Sequence, residues 1–448
     1  MTGAPRRTDA EIAVIGAGVI GLTIALRLAA SGREVVVIDP EPPGSGASWG
    51  NAGTIADYAV DPVGSPAVIR DLPRLLFDRN SPLAIRRATL PALVPWLARF
   101  LRQSMPGAAR RNSQALAGLL ADAGPLWREL AGAVGGTDLM RADGCLYWYR
   151  SDAGFRAAGA AMAGRRRLGV AVEMLDAPGL AALEPALAVE VGGAAFFPSA
   201  LFLTDPGEMM ARLVRAAAAA GARFERAAVH RLERDGGGVR LSAQPDRHWQ
   251  VGRVVIAAGA RSRRLAAMAG DRVPLDTERG YHLEWDMVQP RLNRPVCPVD
   301  LGFYLCPMTG RLRAAGTVEL GGLDAPPSAH RLARLGEGVA RILPDLGAAA
   351  RSWMGLRPSM PDSLPVIGPS RAGAEILHAY GHGHIGLTLA PKTADLIALV
   401  VEAGQLPPDA VAVGRFREST RQRLAEIDGS SGEAARLDRA SLYSPDKE

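Results

Sequence analysis

The stretch 11–39, EIAVIGAGVIGLTIALRLAASGREVVVID, decides the fold. An apolar run over 11–15 predicts a strand, and the glycine turn GAGVIG at 16–21 follows it directly. Apolar residues at helical spacing over 22–30 predict a helix, and 33–38 predicts a second strand that ends at an aspartate. Strand, glycine turn, helix, strand and acid is the order of a dinucleotide-binding βαβ unit.

Each position of this unit has a physical task. Gly16 permits a tight turn, Gly18 lets the backbone approach a pyrophosphate, and Gly21 lets the helix pack closely on the sheet. The helix N-terminus offers N–H groups and the positive end of its dipole to phosphate. Asp39 follows at the spacing of about 20 residues that suits an acceptor for a ribose hydroxyl. The predicted cofactor contacts are Gly16, Gly18, Val19, Ile20, Gly21, Asp39 and Pro40.

A loop of small residues follows the unit. Residues 42–53, PPGSGASWGNAG, carry hydroxyl groups and one amide among glycines. Such a loop can run along an extended cofactor and bind it through the backbone, but a flexible surface loop has the same composition. The loop by itself leaves both interpretations open, and later segments decide between them.

Three later segments complete the pattern. Residues 211–221 predict a helix that leads into a strand at 222–229, and VVIAAGA at 254–260 predicts a buried strand that ends in a turn. The C-terminal block contains GLRP at 355–358 and GHGHIGLTLAP at 381–391, which opens a helix. Together with the loop at 48–53, these segments resemble the D-amino acid oxidase superfamily of flavoproteins, and most closely the bacterial D-amino acid dehydrogenases. The resemblance extends to about residue 417.

The resemblance implies FAD as the cofactor. A helix that begins near Gly386 could direct its dipole at the flavin pyrimidine ring and stabilise charge on the reduced flavin. Because none of the three cysteines lies in a flavin segment, we expect the FAD to be bound non-covalently. The further contacts that the resemblance implies are Ser48, Asn51, Ala52, Gly53, Val229, Ala258, Gly259, Gly383, His384, Ile385, Gly386, Leu387 and Thr388.

The predicted fold is α/β, with a Rossmann-like FAD-binding domain around one mixed sheet and a discontinuous α+β substrate domain. The FAD-binding domain is predicted from residues 1–60, 200–268 and 355–426, the substrate domain from 61–199 and 269–354, and a polar tail from 427–448. Predicted helices in the substrate domain cover 72–77, 90–101 and 115–131. Predicted strands cover 146–149, 282–285 and 303–305, the last in a hairpin with 312–318.

The resemblance also implies a reaction. A flavin accepts a hydride from the α-carbon of an amino acid, most simply a D-amino acid, and water hydrolyses the resulting imine to a 2-oxo acid and ammonia. The protein must hold the substrate carboxylate, for which the planar fork of an arginine is suited. The resemblance assigns this role to Arg357, in Gly-Leu-Arg-Pro, with Tyr304 sharing the carboxylate.

Three more residues are candidates for the active site. Tyr281 and His282 follow each other on a predicted strand, so that only one of them should face the flavin. His384 precedes the flavin-facing turn, and we predict that it closes over the ring or the substrate.

Composition limits the partners. The net charge of +6 is small for 448 residues and its cations are nearly all arginine, so we expect no nucleic-acid partner and no metal. The cysteines Cys145, Cys297 and Cys306 have neither metal-ligand spacing nor a disulfide pattern. We expect a cytoplasmic protein without a signal peptide or membrane-spanning helix. An amphipathic stretch at 90–100 leaves open a peripheral contact with the inner face of the cytoplasmic membrane.

Other functions remain open at this point. Glycine, sarcosine or hydroxyproline could be the substrate, although sarcosine-oxidase-like relatives tend to carry a basic residue near Thr388. The chain could also be a flavin-carrying subunit of a hetero-oligomer, and an NAD-dependent reductase is disfavoured by the C-terminal block. The sequence favours a quinone over O2 as electron acceptor only through its closest resemblance, and it leaves the oligomeric state open.

Overall fold

The glycine-rich stretch folds as predicted in the computed structural model, which describes residues 8–66, 68–69, 83–187, 191–244 and 246–416. Strand β1 (Ala10–Ile15) leads into helix α1 (Val19–Ala30), and β2 (Val35–Asp39) pairs in parallel with β1. Nearly every residue of β1 and β2 is buried, as expected for parallel strands covered on both faces.

A mixed sheet of eight strands surrounds this unit. Its order is β10-β2-β1-β13-β12-β11, and β20 pairs with β13 and with β19. β10, β2, β1, β13 and β20 run in parallel, while β12, β11 and β19 are antiparallel to their neighbours. The added strands are β10 (Arg223–Arg226), β11 (Ala228–Arg234), β12 (Val239–Gln244), β13 (Arg247–Ile256), β19 (Val366–Ser370) and β20 (Gly373–Tyr380).

A second, nine-stranded sheet carries the order β18-β14-β17-β16-β15-β6-β8-β7, with β4 paired to β17. Its four longest strands are β14 (Asp276–Asp286), β16 (Phe303–Met308), β17 (Arg311–Leu320) and β18 (Arg351–Ser359). The others are β4 (Leu83–Ile85), β6 (Cys145–Tyr149), β7 (Glu173–Asp176), β8 (Gly193–Phe197) and β15 (Val296–Pro298). Three short strands, β3 (Thr54–Ile55), β5 (Met140–Arg141) and β9 (Leu201–Leu203), form a third sheet.

Helices pack against the sheets. The helices that fall within the residues predicted for the substrate domain are α2 (Leu90–Gln103), α3 (Pro106–Leu120), α4 (Ala123–Ala133), α5 (Asp152–Arg167), α6 (Ala177–Leu183) and α9 (Ala329–Ala340). The others are α7 (Pro206–Ala219), α8 (Ser262–Met268) and α10 (Gly386–Ala403). Helix α10 packs on α1, where the Thr23 hydroxyl donates to the Ala390 carbonyl at 3.2 Å. Short 3-10 helices cover Arg87–Thr89, Thr137–Leu139, Gly259–Arg261, Pro344–Leu346 and Val413–Phe416.

Most predicted elements are present, with two differences. The predicted helix 115–131 is interrupted at 121–122, between α3 and α4, and the predicted strand 222–229 is divided between β10 and β11. The predicted helix 72–77 and the tail 427–448 lie outside the described residues. Up to Val413 the described residues belong to one compact unit, Gly414–Phe416 belong to a second, and the two-domain division stays a prediction. No helix within the described ranges combines the length and apolar character needed to cross a membrane.

Candidate active site

A cavity of about 1510 Å³ is lined by residues of both large sheets. The carboxyl ends of β1, β2 and β13 open into one side of it, and β14, β16, β17 and β18 form the other. Ligands of open parallel sheets bind beyond the carboxyl ends of their strands. The cavity is therefore the candidate site for both a cofactor and a substrate.

Gly16 and Gly21, in the glycine-rich segment at one end of the cavity, leave no room for a side chain. Gly16 has φ +110°, and a Cβ there would lie 2.4 Å from the Ala257 carbonyl oxygen. A Cβ at Gly21 would lie 1.9 Å from the Gly16 carbonyl oxygen, so α1 packs directly on the turn. At both positions, neighbouring backbone atoms exclude a Cβ, as the sequence predicted.

This end of the cavity fits the phosphates and ribose of a dinucleotide. The N-terminus of α1 opens into the cavity at Gly18, and the first turn of the helix carries no acidic residue that would offset its dipole. The Asp39 carboxylate accepts from the Ala17 N–H at 2.7 Å and lines the cavity at the end of β2. Burial raises the pKa of Asp39, while that backbone N–H acts in the opposite direction.

The loop after β2 is held against the cavity. The Ser48 hydroxyl accepts from the Val19 N–H at 2.9 Å, and Asn51 Oδ1 accepts from the Gly53 N–H at 2.8 Å. Arg313 donates to the carbonyls of Trp49 and Asn51 and pairs with Glu284 through Nε–H···Oε1 at 2.8 Å. A buried ion pair of the second sheet thus contacts the loop that follows β2, which favours the cofactor-binding interpretation of this loop over the flexible one.

Most predicted cofactor residues line this cavity. The set comprises Gly16, Gly18, Val19, Ile20, Asp39, Pro40, Ser48, Asn51, Ala52, Val229, Ala258, Gly259, Gly383, His384, Gly386 and Leu387. Gly21, Gly53, Ile385 and Thr388 are outside this lining. The Thr388 hydroxyl instead accepts from the Ala56 N–H at 3.0 Å and holds the chain after the loop against α10.

Arg357 projects from β18 into the wall of the cavity. Its guanidinium rests over Gly280 of β14, where a Cβ would lie 2.4 Å from Arg357 Cζ. Nη1 donates to the Thr317 carbonyl at 3.1 Å, which uses one of the five N–H donors of the side chain. Burial lowers the pKa of Arg357, opposed by the charge of Glu278. The guanidinium fits above β14 because Gly280 has no side chain there.

The backbone that receives Arg357 is strained. Thr317 has φ +58°, which is costly for a β-branched residue, by about 1–3 kcal/mol. It lies where the register of β17 against β14 shifts by one residue, between the pairs Arg279–Glu319 and Tyr281–Gly316. The bulge turns the Thr317 carbonyl towards Arg357. The Thr317 hydroxyl oxygen is buried without a hydrogen-bond partner among the described residues.

Three tyrosine hydroxyls meet beside this wall. Tyr304 on β16 donates to the Tyr147 hydroxyl at 3.2 Å and lies 3.4 Å from the Tyr58 hydroxyl. Tyr58 stacks on Phe197 with 4.1 Å between ring centroids and donates to Cys145 Sγ at 3.1 Å. Burial raises the pKa of all three tyrosines, so the cluster presents neutral O–H groups.

Tyr281 and His282 lie on opposite faces of β14, as alternation predicts. Tyr281 contributes to the cavity lining, but its hydroxyl donates to Glu319 and accepts from the Ser328 N–H. His282 does not line the cavity: its Nδ1 lies 3.1 Å from the Gly50 carbonyl oxygen, and its ring stacks on Trp353. Burial and the charge of Arg313 lower its pKa to about 4. Both side chains thus serve the packing of β14.

The glycine loop before α10 closes the cavity next to Arg357. The Gly383 N–H donates to the Pro358 carbonyl at 2.7 Å, which ties the loop to β18 one residue beyond the arginine. His384 projects into the cavity, where the surrounding protein and the Arg357 charge lower its pKa to about 4. The N-terminus of α10 has no side-chain cap and no acid in its first turn. It can therefore stabilise negative charge in the cavity.

Among the lining residues that were not predicted are Tyr58, Tyr147, Thr317 and Glu278. Tyr147 belongs to a predicted strand, but its direction depends on the pairing of β6 with β15. The bulge at Thr317 left no signal in the sequence. Glu278 and Arg357 are partners in the register of β14 and β18, which only the assembled sheet reveals.

The family model, the two relatives and the solved structure described next are all oxidoreductases by their names. The model of the family described as "DAO: FAD dependent oxidoreductase" matches residues 11–399. The D-amino-acid oxidase of Bradyrhizobium diazoefficiens is 34% identical over 409 residues, covering 88% of this chain and 96% of that protein. The D-amino acid dehydrogenase of Rhodopseudomonas palustris is 30% identical over 391 residues, covering 85% and 91%. The crystal structure of glycine oxidase from Geobacillus kaustophilus aligns with a TM-score of 0.71 at 25% identity, covering 91% of this chain and 99% of that one.

Proposed function

This chain belongs to the DAO family of FAD-dependent oxidoreductases, and from that premise we propose that it oxidises the carbon–nitrogen bond of a small D-amino acid. Membership confirms the family and the FAD cofactor that the sequence predicted. The proposed products are an imino acid and, after hydrolysis, a 2-oxo acid and ammonia. The observation that carries the proposal is the Arg357 guanidinium, held over Gly280 in the cavity that receives the cofactor.

Arg357 is proposed to hold the substrate carboxylate. Its planar fork can make two parallel charge-assisted bonds, which fixes the direction of the α-carbon as well as the affinity. The strained Thr317 carbonyl holds one N–H of the guanidinium and so limits its rotation. Fixing a substrate in this way supplies part of the rate by orientation alone.

The neutral groups around Arg357 complete the pocket. Tyr304 and Tyr58 give their single protons to Tyr147 and Cys145, so a carboxylate oxygen can accept directly from the Tyr147 hydroxyl, and from Tyr304 once its O–H rotates away from Tyr147. These donors add no charge. The surrounding protein and the Arg357 charge lower the pKa of His384, which favours the neutral imidazole and leaves the negative partners to the substrate amine. The proposed pocket therefore has Arg357 as its main cation.

FAD, when bound, supplies the chemistry of hydride acceptance from the α-carbon. Gly16, Gly18 and Asp39 would hold its phosphates and ribose, and the N-terminus of α10 would stabilise charge on the reduced ring. The chain itself orients the substrate, closes the cavity with the glycine loop and excludes water from the reacting carbon.

A second candidate substrate class is glycine or another small amine with one carboxylate. The structural alignment with glycine oxidase supports it, because an arginine anchor would serve such a substrate equally well. The two classes differ in the wall that meets the substrate side chain. An electron acceptor other than O2 is proposed from the resemblance to dehydrogenases and is tested separately by reoxidation in air.

Anaerobic reduction of the flavin tests the proposed function. The purified protein is mixed with D-alanine, L-alanine, glycine, sarcosine, D-hydroxyproline or propionate, and loss of the oxidised flavin absorbance is followed. We expect rapid bleaching by D-alanine, much slower bleaching by L-alanine and none by propionate, which lacks the amine. Bleaching by glycine or sarcosine alone would favour the second class. A yellow protein that no amine reduces would contradict both and indicate a missing subunit.

A further inference from the structure

Glu278 is an acid in the cavity wall that the steps above do not use. Glu278 is only 5% exposed, and it lines the same cavity as Arg357. The two residues are direct partners in the antiparallel pairing of β14 with β18, so their side chains leave the same face of the sheet. A buried carboxylate is costly unless a cation or a hydrogen-bond donor accompanies it.

The guanidinium is not drawn into an ion pair with this carboxylate. It rests over Gly280, two residues along β14, and donates to the Thr317 carbonyl. Arg357 still balances the charge of Glu278 beside it in the same wall of the cavity, and each lowers the cost of burying the other. Both groups remain directed at the cavity, available to a ligand.

A bound substrate changes this balance. When its carboxylate joins Arg357, two negative groups share one cation in a cavity of low dielectric, which is unfavourable. A second positive group restores neutrality, and an amino acid brings one, its α-ammonium group. The arrangement therefore selects a zwitterion over a plain carboxylate.

We propose that Glu278 binds the α-ammonium group of the substrate and accepts one of its protons, an inference that rests on the proposed function. The N–H bond breaks and leaves its electron pair on nitrogen, while an O–H bond forms on the carboxylate, so that no group is oxidised or reduced in this step. The product is the neutral amine, whose lone pair is needed when the α C–H bond breaks. An aliphatic ammonium with a pKa of about 10 is neutral in only roughly one molecule in a thousand at pH 7.

The surroundings of Glu278 suit a proton acceptor. Burial raises its pKa, and Arg357 and the Ser359 hydroxyl act in the opposite direction. The other titratable groups on the elements packed around it are His382 and His384 on the glycine loop, Asp276 on β14 itself, Arg263 on α8, and Arg279 and Glu319 on the reverse face. Burial lowers the pKa of His382 to about 3, and the surrounding protein together with the Arg357 charge lowers that of His384 to about 4, so we expect neither to titrate between pH 6 and 9.

Calorimetric binding of two ligands tests the proposal without turnover. 2-Aminoisobutyrate has no α C–H bond and cannot be oxidised, and isobutyrate has the same carboxylate without the amine. At pH 7 the wild-type holoenzyme should bind 2-aminoisobutyrate at least about tenfold more tightly than isobutyrate, because Glu278 has an ammonium to meet. Glu278→Gln should lose this preference, and its affinity for 2-aminoisobutyrate should rise about tenfold per pH unit, since only the neutral amine then binds well.

Two variants control for structure. Asp276→Asn removes an acid two residues away on the same strand, one that lies 4.0 Å from Arg263, and it should keep the wild-type preference. Glu278→Asp keeps the charge and should keep most of the preference even if Glu278→Gln folds poorly. A Glu278→Gln holoenzyme that still prefers 2-aminoisobutyrate, at every pH, would overturn the proposal.

Flavin reduction separates this inference from the proposed function. If D-alanine bleaches the wild type and Glu278→Gln equally fast from pH 6.5 to 9, the inference fails and the function stands. If the wild type is bleached and the variant is at least about 100-fold slower at pH 7, with a rate that rises with pH, both stand. A wild type that no amine bleaches and that binds neither ligand overturns both.

Discussion

The two ends of the cavity are built by different means. At the cofactor end, the contacts come from backbone positions close together in the chain, such as Gly16, Gly18 and the N–H groups that begin α1. At the substrate end, they come from side chains brought together by the fold: the hydroxyls of Tyr58 and Tyr304 meet across 246 residues of sequence. A backbone cradle is therefore a local pattern, whereas a side-chain cluster depends on every strand register between its members.

The largest effect is expected from breaking the backbone cradle. Gly16→Ala places a Cβ 2.4 Å from the Ala257 carbonyl oxygen on a residue with φ +110°. We expect a loss of about 2–4 kcal/mol in the free energy of unfolding. The purified variant should contain little FAD, measured as the ratio of flavin to protein absorbance.

Gly32→Ala is the matched control. Gly32 also has a positive φ, +83°, but its Cβ would meet no heavy atom within 4 Å. It should pay only the conformational cost of about 1–2 kcal/mol and keep its FAD. Equal FAD loss in the two variants would show that general destabilisation, not the closeness of the turn, controls cofactor binding.

The next feature to break is the ion pair of Glu284 with Arg313, which joins the second sheet to the loop at 49–51. Glu284 is 2% exposed and is surrounded by Arg313, Arg311 and Arg351. Burial acts to raise its pKa, but these arginines lower it to about 2. A carboxyl whose folded pKa is depressed stabilises the fold above its unfolded pKa of about 4.5, and the contribution disappears as the pH falls towards 2.

Urea unfolding at pH 6 and pH 3 measures this contribution. The difference in unfolding free energy between the wild type and Glu284→Gln should shrink by about 2 kcal/mol at the lower pH. The variant should also bind FAD less tightly at pH 6, because Arg313 then loses its anchor beside the 49–51 loop. A difference that is the same at both pH values would show that the ionised form of Glu284 does not stabilise the fold.

The smallest effect is expected from removing one hydroxyl group at the substrate end. Tyr304→Phe removes the hydroxyl that joins Tyr147 and Tyr58. We expect KM for the amino acid to rise by about 5- to 10-fold, the equivalent of one hydrogen bond, while the FAD content stays unchanged. Tyr149→Phe, on β6 and outside the cavity lining, should leave KM unchanged. A Tyr304→Phe enzyme with altered FAD content would mean that the two ends are not separable.

The predictability of each part follows from this difference. The βαβ unit, the positions of Gly16 and Asp39 and the hairpin over 303–318 could be read from local patterns. Arg357 was found because it lies within a short motif of the family, and its place in the cavity agrees with that prediction. Its role in binding a carboxylate stays a prediction.

The remaining substrate-end residues could not be read in the same way. Thr317 acquires its position from a one-residue bulge, and bulges depend on how two strands pair. His282 was an equal candidate with Tyr281, but the loop carbonyl of Gly50 and the Trp353 ring occupy its surroundings. Alternation gives opposite faces for two neighbours and does not say what each face meets.

The most direct test of the account is one measurement on Arg357→Ala, compared with Arg334→Ala, an arginine paired with Glu337 on helix α9. FAD content and the anaerobic rate of flavin bleaching by D-alanine are measured on the same samples. Loss of a buried charge-assisted contact is worth about 3–5 kcal/mol, so bleaching should be at least roughly 100-fold slower in Arg357→Ala at unchanged FAD content. Bleaching of Arg357→Ala at the rate of the Arg334→Ala control would contradict the account.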